Sequence, residues 1–198
     1  MNKTRTSRLL TLTALAVLGA VLSSSPMWAQ CGTGTNPPCD TLKVNYFSNA
    51  NLGYPSATVY VSNPGTSGSA SICAMVYVVD PSQELRECCG CSISPDGLLT
   101  LSVDGNLTSN SNTPGALNSG TIKIISSTGA PTCNPATLKP TAAVRAWGTH
   151  IQTNGVLTET DAQDATLSTT EVTRLEGLCG SIIKNSSGYG ICTCGSGG

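Results

Sequence analysis

Charged and aromatic side chains are both scarce in this chain. Only 11% of its 198 residues are Asp, Glu, Lys or Arg, and 4% are aromatic, whereas about a quarter of an average soluble protein is charged. A surface that is solvated mainly by Ser, Thr, Gly and Asn suits close packing against copies of itself or against a cell-surface matrix. No cluster of Lys and Arg occurs after Arg8, so we expect no nucleic-acid partner.

Long apolar runs are also missing after residue 30, where nothing approaches the roughly 20 residues that a membrane span needs. Before that point, a basic start precedes a short apolar run, Leu9 to Leu22, and small Ala29 offers a cleavage point. This layout is typical of a secretory signal peptide. We expect residues 1–29 to be removed and residues 30–198 to form one secreted domain, extracellular or at the cell surface. An uncleaved anchor helix is the alternative.

Cysteine is abundant, and all ten cysteines follow the predicted cleavage point. An even number in an exported protein predicts disulfides. A zinc site usually has separated Cys-x-x-Cys or Cys/His pairs, whereas this chain has Cys-Cys-x-Cys, Cys-x-Cys and one distant histidine. A structural metal and a redox dithiol remain alternatives, but we predict neither metal nor cofactor. The predicted disulfide cysteines are Cys31, Cys39, Cys73, Cys88, Cys89, Cys91, Cys133, Cys179, Cys192 and Cys194.

Strand geometry narrows the pairing around the stretch ECCGC. If residues 84–91 are extended, Cys88 points to one face while Cys89 and Cys91 share the other. Cys192 and Cys194 also share a face if YGICTC is a strand. Bonds between these two same-face pairs are therefore one arrangement, and the connectivity of the other cysteines stays open, including local closure of the first two across GTGTNPP.

Thr- and Val-rich segments separated by Gly, Asn and Pro predict a mainly β fold. Their spacing favours an all-β sandwich, and the cysteines make it rich in disulfides. The nearly continuous apolar run AMVYVV is expected for a strand covered on both faces. The clearest predicted strands are Leu42–Ser48, Ala57–Ser62, Ile72–Val79, Leu98–Val103, Thr121–Ser126 and Ala142–Ile151.

One helix is predicted near the C-terminus. Ser168 and Glu171 have the spacing of a capping box, and apolar residues then recur at helical spacing as far as Ile183. The pattern predicts a helix over residues 169–184 that docks on the sheet and is stapled through Cys179. The ending GYGICTCGSGG returns to extended chain and then to a flexible Gly/Ser tail.

Candidate chemistry is limited to a few residues. Glu159, Asp161 and Asp164 are weak calcium candidates, or they are solvated residues of a loop before the helix, where negative charge is favoured. His150, oriented by Asp161 or Asp164, is the candidate base of a serine hydrolase, or it is an ordinary surface or partly buried histidine of a strand. The Gly-x-Ser-x-Gly turn of many hydrolases does not occur. We therefore assign no catalytic residue.

The stretch QELRECCGCSISPDGLLTLSV, together with the ending GYGICTCG, resembles uncharacterised exported proteins of environmental bacteria. The resemblance spans about Ile72 to Gly195, and it implies export without implying an activity. The segment VYVSNPG is similar to immunoglobulin-like bacterial surface domains, and this resemblance implies that the predicted disulfide-rich β-sandwich is immunoglobulin-like.

These features favour a non-enzymatic extracellular protein that acts in cell-surface adhesion or as the subunit of a surface assembly or filament. The N-terminal arm CGTGTNPPCDTLKVNYFSNAN is either an ordinary first strand or an intermolecular strand that allows self-association by adding to a neighbour's sheet. A secreted glycan- or calcium-binding module is the alternative, and a secreted hydrolase is the second alternative.

Overall fold

The computed structural model describes residues 41–49, 56–66, 68, 70–108, 117–184 and 191–195. The predicted signal peptide, Cys31, Cys39 and the last three residues of the tail lie outside the described residues. Within them the chain is mainly β, with one α-helix at its C-terminal end. The coarse fold class predicted from the sequence is therefore confirmed.

The described chain contains nine strands, a π-helical turn at Val103–Leu107 and the helix α1, Thr169–Lys184. No helix in these ranges is both long enough and apolar enough to cross a membrane. The bounds of α1 and of the first and third strands agree with the predicted ones. The strands are β1 (Leu42–Ser48), β2 (Thr58–Ser62), β3 (Ile72–Val79), β4 (Leu85–Ile93), β5 (Leu98–Ser102), β6 (Ser119–Ser127), β7 (Arg145–Ile151), β8 (Leu157–Asp161) and β9 (Gln163–Ala165).

The strands form two sheets in which all pairings are antiparallel. One sheet has five strands in the order β4-β3-β6-β1-β9, and the other has four in the order β5-β2-β7-β8. The chain changes sheet six times between β1 and β9. Most strand partners are therefore distant in sequence.

A core lies between the two sheets, because alternate residues of each strand point to the same side. Val59 and Val61 of β2 and Leu99 and Leu101 of β5 supply one half of it. The five-stranded sheet supplies the other half, including Val76 of β3. Each fully buried aliphatic side chain contributes roughly 1.5–3 kcal/mol, so this shared interior is the main source of sandwich stability.

A second core covers the opposite face of the five-stranded sheet. Helix α1 contributes Leu175 and Cys179, both fully buried, and the segment 128–144 contributes Leu138. Tyr77 of β3 lies under this segment and donates its hydroxyl to the carbonyl of Pro135 at 2.6 Å. Burial raises the pKa of Tyr77, so the phenol stays a neutral donor. Because β3 is buried on both faces, its apolar run is continuous rather than alternating.

The start of α1 forms half of the predicted capping box. Ser168 Oγ accepts a hydrogen bond from the Glu171 N–H at 3.1 Å. The Glu171 carboxylate instead accepts hydrogen bonds from Arg174 and from Lys123 Nζ of β6. These bonds from Arg174 and Lys123 lower the pKa of Glu171 to about 2. Glu171 therefore connects the helix to the sheet rather than to its own N-terminus.

Four of the predicted strands have wrong bounds. The strand predicted over Thr121–Ser126 extends over Ser119–Ser127, because β1 and β3 pair with it along this length. Ala57 precedes β2 because its N–H is bound by the Asn49 side chain. Val103 begins the π-helical turn, where its carbonyl accepts from the Thr108 N–H at 2.8 Å. The strand predicted to start at Ala142 starts at Arg145.

The segment 159–164 is not the predicted loop before the helix. Glu159 and Asp161 belong to β8, and Asp164 belongs to β9. Aspartate is a poor strand former, so local propensity did not indicate these strands. They form because β8 pairs with β7 and β9 pairs with β1, both of which come earlier in the chain.

Candidate functional site

The stretch ECCGC lies in β4, and its three cysteines form bonds on both faces of the sheet. Cys88 bonds to Cys179 of α1, while Cys89 bonds to Cys192 and Cys91 bonds to Cys194. The Cα–Cα distances are 6.1, 5.1 and 5.4 Å respectively. The expected division of faces and the staple through Cys179 are both confirmed.

The glycine in this stretch, Gly90, is required by close packing against Cys133. A side chain at position 90 would project from the same face of β4 as Cys88. On this face lies Cys133, which is bonded to Cys73. A Cβ on Gly90 would lie 2.8 Å from the Cβ of Cys133. Only a residue without a side chain leaves room for this fourth disulfide of the described residues.

The sulfurs of Cys89, Cys91 and Cys194 lie within 4.8 Å of one another, and this is the only group of three metal-type ligands in the described ranges. Each of these sulfurs is already bonded to another sulfur. Metal binding requires thiolates, so in this oxidised state the proximity reflects two disulfides lying side by side. The disulfide interpretation of ECCGC therefore accounts for the geometry.

The C-terminal segment crosses from one sheet to the other. Ile191 forms an isolated bridge with Cys88 of β4, and the Cys192 N–H donates to the Cys88 carbonyl at 3.3 Å. Beyond it, the Thr193 N–H donates at 2.9 Å to the carbonyl of Asn106, in the turn after β5. Its described residues, 191–195, therefore form an isolated bridge and divide their hydrogen bonds between the two sheets rather than forming a regular strand.

His150, the candidate catalytic base, is sealed inside the fold. Its exposed fraction is 0%, and its ring stacks on Tyr46 with centroids 3.8 Å apart. Its Nε2 lies 2.7 Å from Thr160 Oγ1, and its buried Nδ1 has no hydrogen-bond partner in the described ranges. Burial lowers the pKa of His150. Asp164, one proposed orienting acid, forms an ion pair with Lys43 instead.

The three calcium candidates do not converge on one point. Glu159 and Asp161 lie on the exposed surface of β8, whereas Asp164 lies in β9 beside the buried ammonium of Lys43. Their oxygens are not among the ligand groups that come within 4.8 Å of one another in the described ranges. The geometry therefore gives no support to a calcium site built from these residues.

The outer face of the four-stranded sheet carries a row of side chains that the sequence did not single out. Tyr60 of β2 and Trp147 of β7 are directly opposite each other, with ring centroids 5.4 Å apart and an interplanar angle of 18°. Thr100 lies opposite Tyr60 on β5, and Asp161 lies opposite Trp147 on β8. These four residues, called here the aromatic row, cross all four strands.

The aromatic row is accessible and has unused polar groups. Thr100 and Asp161 are exposed, and the two rings between them are half-buried. Within the described chain, no hydrogen bond occupies the Tyr60 hydroxyl, the Trp147 indole N–H or the Asp161 carboxylate. The alternation in TVYVS and RAWGTH places both aromatics outward, but only the strand pairing shows that they meet.

Known proteins offer no further guide to this surface. Comparison of the chain with models of protein families, with curated proteins and with solved structures gives no match. The function is therefore inferred from the chemistry of the chain itself.

Proposed function

We propose that this chain is a non-enzymatic extracellular structural or interaction protein that acts in cell-surface adhesion or as the subunit of a surface assembly or filament. The observation that carries the proposal is the set of disulfides on β4. Cys88 joins this strand to the helix, and Cys89 and Cys91 join it to the C-terminal segment. Such cross-linking is typical of proteins that persist in an oxidising space outside the cytosol.

Export is part of the proposal. The predicted signal peptide at residues 1–29 provides the route, and the resemblance of ECCGC and GYGICTCG to exported bacterial proteins agrees with it. Each of the four disulfides between described residues closes 60 to 103 residues of chain, and bonds of this kind contribute typically ~2–4 kcal/mol each. Such a chain resists unfolding and proteolysis at a cell surface.

We also propose that the sandwich is of the immunoglobulin-like type. The support comes from two interlocked pairings, β2 with β5 in one sheet and β3 with β6 in the other. In immunoglobulin domains the second strand pairs with the fifth and the third with the sixth in the same manner. That sandwich is common among proteins of cell surfaces.

Self-association of the N-terminal arm is proposed as strand exchange. The part of the arm at Leu42–Ser48 is β1, which lies between β6 and β9 of its own sheet. A copy that released β1 would leave a gap that the β1 of a neighbour fits, because the same residues would pair. Repeated exchange would build the filament.

A hydrolase is disfavoured by the position of His150. A general base must come within hydrogen-bond reach of the proton that it abstracts, but this ring is covered by Tyr46 and its Nε2 contacts Thr160. Tyr46, His150 and Thr160 instead have a structural role, because their contacts join β1, β7 and β8.

The proposal is tested on protein secreted from a bacterial host with its own leader. We expect ten oxidised cysteines by mass spectrometry, and adhesion of protein-coated beads to the host cell surface or ordered particles in negative-stain images. The control is the same material after reduction and alkylation, which should neither adhere to cells nor form ordered particles. Native protein with reduced thiols would contradict the proposal, as would a hydrolytic activity that disappears in a folded His150→Ala variant.

A further inference from the structure

The aromatic row combines apolar surface with polar groups that have no partner. The rings of Tyr60 and Trp147 stack on each other in the middle, and a hydroxyl and a carboxylate flank the pair, at Thr100 and Asp161. The row is part of a sheet face on which Leu98, Arg145 and Glu159 are also exposed. A ligand for this surface must therefore offer flat apolar patches bordered by hydrogen-bonding groups.

Sugar rings have this character. The C–H groups of a pyranose form apolar patches that stack on aromatic rings, while its hydroxyls project from the edges and both donate and accept. Tyr and Trp provide an apolar body with a polar tip, which suits a ligand of mixed character. An equatorially linked chain leaves these C–H patches open, so that one of its sugars packs on the part of the stacked Tyr60–Trp147 pair that faces solvent.

The charges near the aromatic row favour a neutral ligand. Arg145 is positive, whereas Glu159 and Asp161 are negative, and all three lie on the same face of the sheet. A polyanion such as an acidic glycan would meet both carboxylates. A neutral chain meets no net repulsion, and the Asp161 carboxylate accepts its hydroxyl protons in charge-assisted hydrogen bonds.

We propose that the outer face of the four-stranded sheet binds a neutral, equatorially linked polysaccharide, with Tyr60 and Trp147 as the stacking platform and Thr100 and Asp161 as hydrogen-bonding partners. This inference rests on the proposed extracellular adhesive function and gives it a ligand class. A second copy of the chain is the other occupant to consider. Such a partner would have to cover about 800 Å² on each side, yet this face carries exposed charges of both signs at its margins.

The test measures retention of the oxidised mature protein on microcrystalline cellulose and on chitin, and its retardation in gels that contain hydroxyethylcellulose. Dextran, an axially linked neutral glucan, is the comparison ligand. We expect binding to at least one of the equatorially linked probes. Trp147→Ala should weaken this binding by about tenfold and Tyr60→Ala by about threefold to tenfold, because each removes one stacking ring. Asp161→Asn should weaken it by a smaller factor.

Leu178→Ala is the matched control, since Leu178 is a half-exposed apolar residue on α1, on the other side of the molecule. It should bind as the unchanged protein does. Circular dichroism and melting temperature verify that each variant is folded, and sedimentation at several concentrations monitors self-association.

Three outcomes would overturn the inference: no binding to any equatorially linked probe, binding that Trp147→Ala and Tyr60→Ala leave unchanged, or a dimer that Trp147→Ala dissociates. None of these would affect the oxidised, exported and non-enzymatic character of the proposed function, which the thiol and adhesion measurements test separately.

Discussion

The outer face of the five-stranded sheet is covered by other parts of the chain, whereas the outer face of the four-stranded sheet is open to solvent. On the five-stranded sheet the outward residues of β3, such as Met75 and Tyr77, are buried beneath α1 and the segment 128–144. On the four-stranded sheet the corresponding positions of β2 hold Thr58, Tyr60 and Ser62, which are partly accessible. One face therefore serves stability, and the other is left for contact with solvent and ligands.

The difference originates in the side chains at alternate strand positions. An apolar outward face must be covered, and the chain covers it with a helix that two structural features hold in place: the Cys88–Cys179 bond and the Lys123–Glu171 ion pair. An outward face of Thr, Ser and aromatic residues needs no such cover. The comparison predicts that equal changes have unequal effects on the two faces.

Matched leucine truncations give the largest expected contrast. Leu175→Ala removes a fully buried side chain between α1 and the five-stranded sheet, and we expect a loss of about 2–5 kcal/mol in the free energy of unfolding. Leu98→Ala makes the same chemical change on the four-stranded sheet, where the side chain is 48% exposed, and the loss should be within about 0.5 kcal/mol. Urea denaturation measures both; similar losses would contradict the comparison.

Removal of the helix staple is the second way to test the covered face. The double substitution Cys88→Ala with Cys179→Ala should cost typically ~2–4 kcal/mol and should accelerate amide exchange first in α1. The amides of β2 and β7 should keep most of their protection, because the core between the sheets is unchanged. Hydrogen exchange monitored by mass spectrometry resolves the two regions. A uniform rise in exchange would show that the two faces do not differ in local stability.

Local patterns were enough to predict β1, β3 and α1 with their bounds. Each has a strong local signal. In LKVNYFS and ICAMVYVV the signal is a run of strand-forming residues, and after Ser168 it is apolar residues at helical spacing. The opposite faces of Cys88 and Cys89 also followed from strand alternation. These features depend on neighbours in sequence and not on the rest of the fold.

Most features that depend on distant partners could not be predicted, the exception being the bonds of Cys89 and Cys91 to Cys192 and Cys194, which same-face spacing indicated. Asp161 and Asp164 lie in strands because β7 and β1 pair with them, which outweighs their low strand propensity. The bonds of Cys73 to Cys133 and Cys88 to Cys179 follow from how segments 60 and 91 residues apart fold together. The aromatic row was missed for the same reason, since Tyr60 and Trp147 meet only through the β2–β7 register.

Acid should weaken the covered face in a defined pH window. Because the pKa of Glu171 is lowered from 4.5 to about 2 in the folded protein, its contribution is fully present above about pH 4.5 and is lost as the pH falls towards 2. We expect about 1 kcal/mol over this window, since the carboxylate is partly exposed and solvent screens the interaction. Glu171→Gln should flatten the pH dependence of the unfolding free energy there.

The buried, neutral His150 provides an internal control for that measurement, because it affects stability in a different pH window. Its lowered pKa means that the unfolded chain binds more protons below about pH 6.5, so the folded state also loses stability there as the pH falls. Glu171→Gln should leave this higher window unchanged. A Glu171→Gln profile that follows the unchanged protein from pH 4.5 down to 2 would show that the carboxylate does not hold the helix to β6.

The last expected effect concerns the exposed face itself. A double-mutant cycle with Tyr60→Ala and Trp147→Ala should give a coupling of about 0.5–1.5 kcal/mol in unfolding free energy, because the two rings stack across neighbouring strands. A cycle of Trp147→Ala with Leu178→Ala should be additive, since the second residue lies on α1. Zero coupling between the rings would mean that they do not form one platform, and binding would then have to depend on each separately. A coupling as large as the Leu175→Ala loss would place the aromatic row among the structural elements of the fold rather than among its contact surfaces.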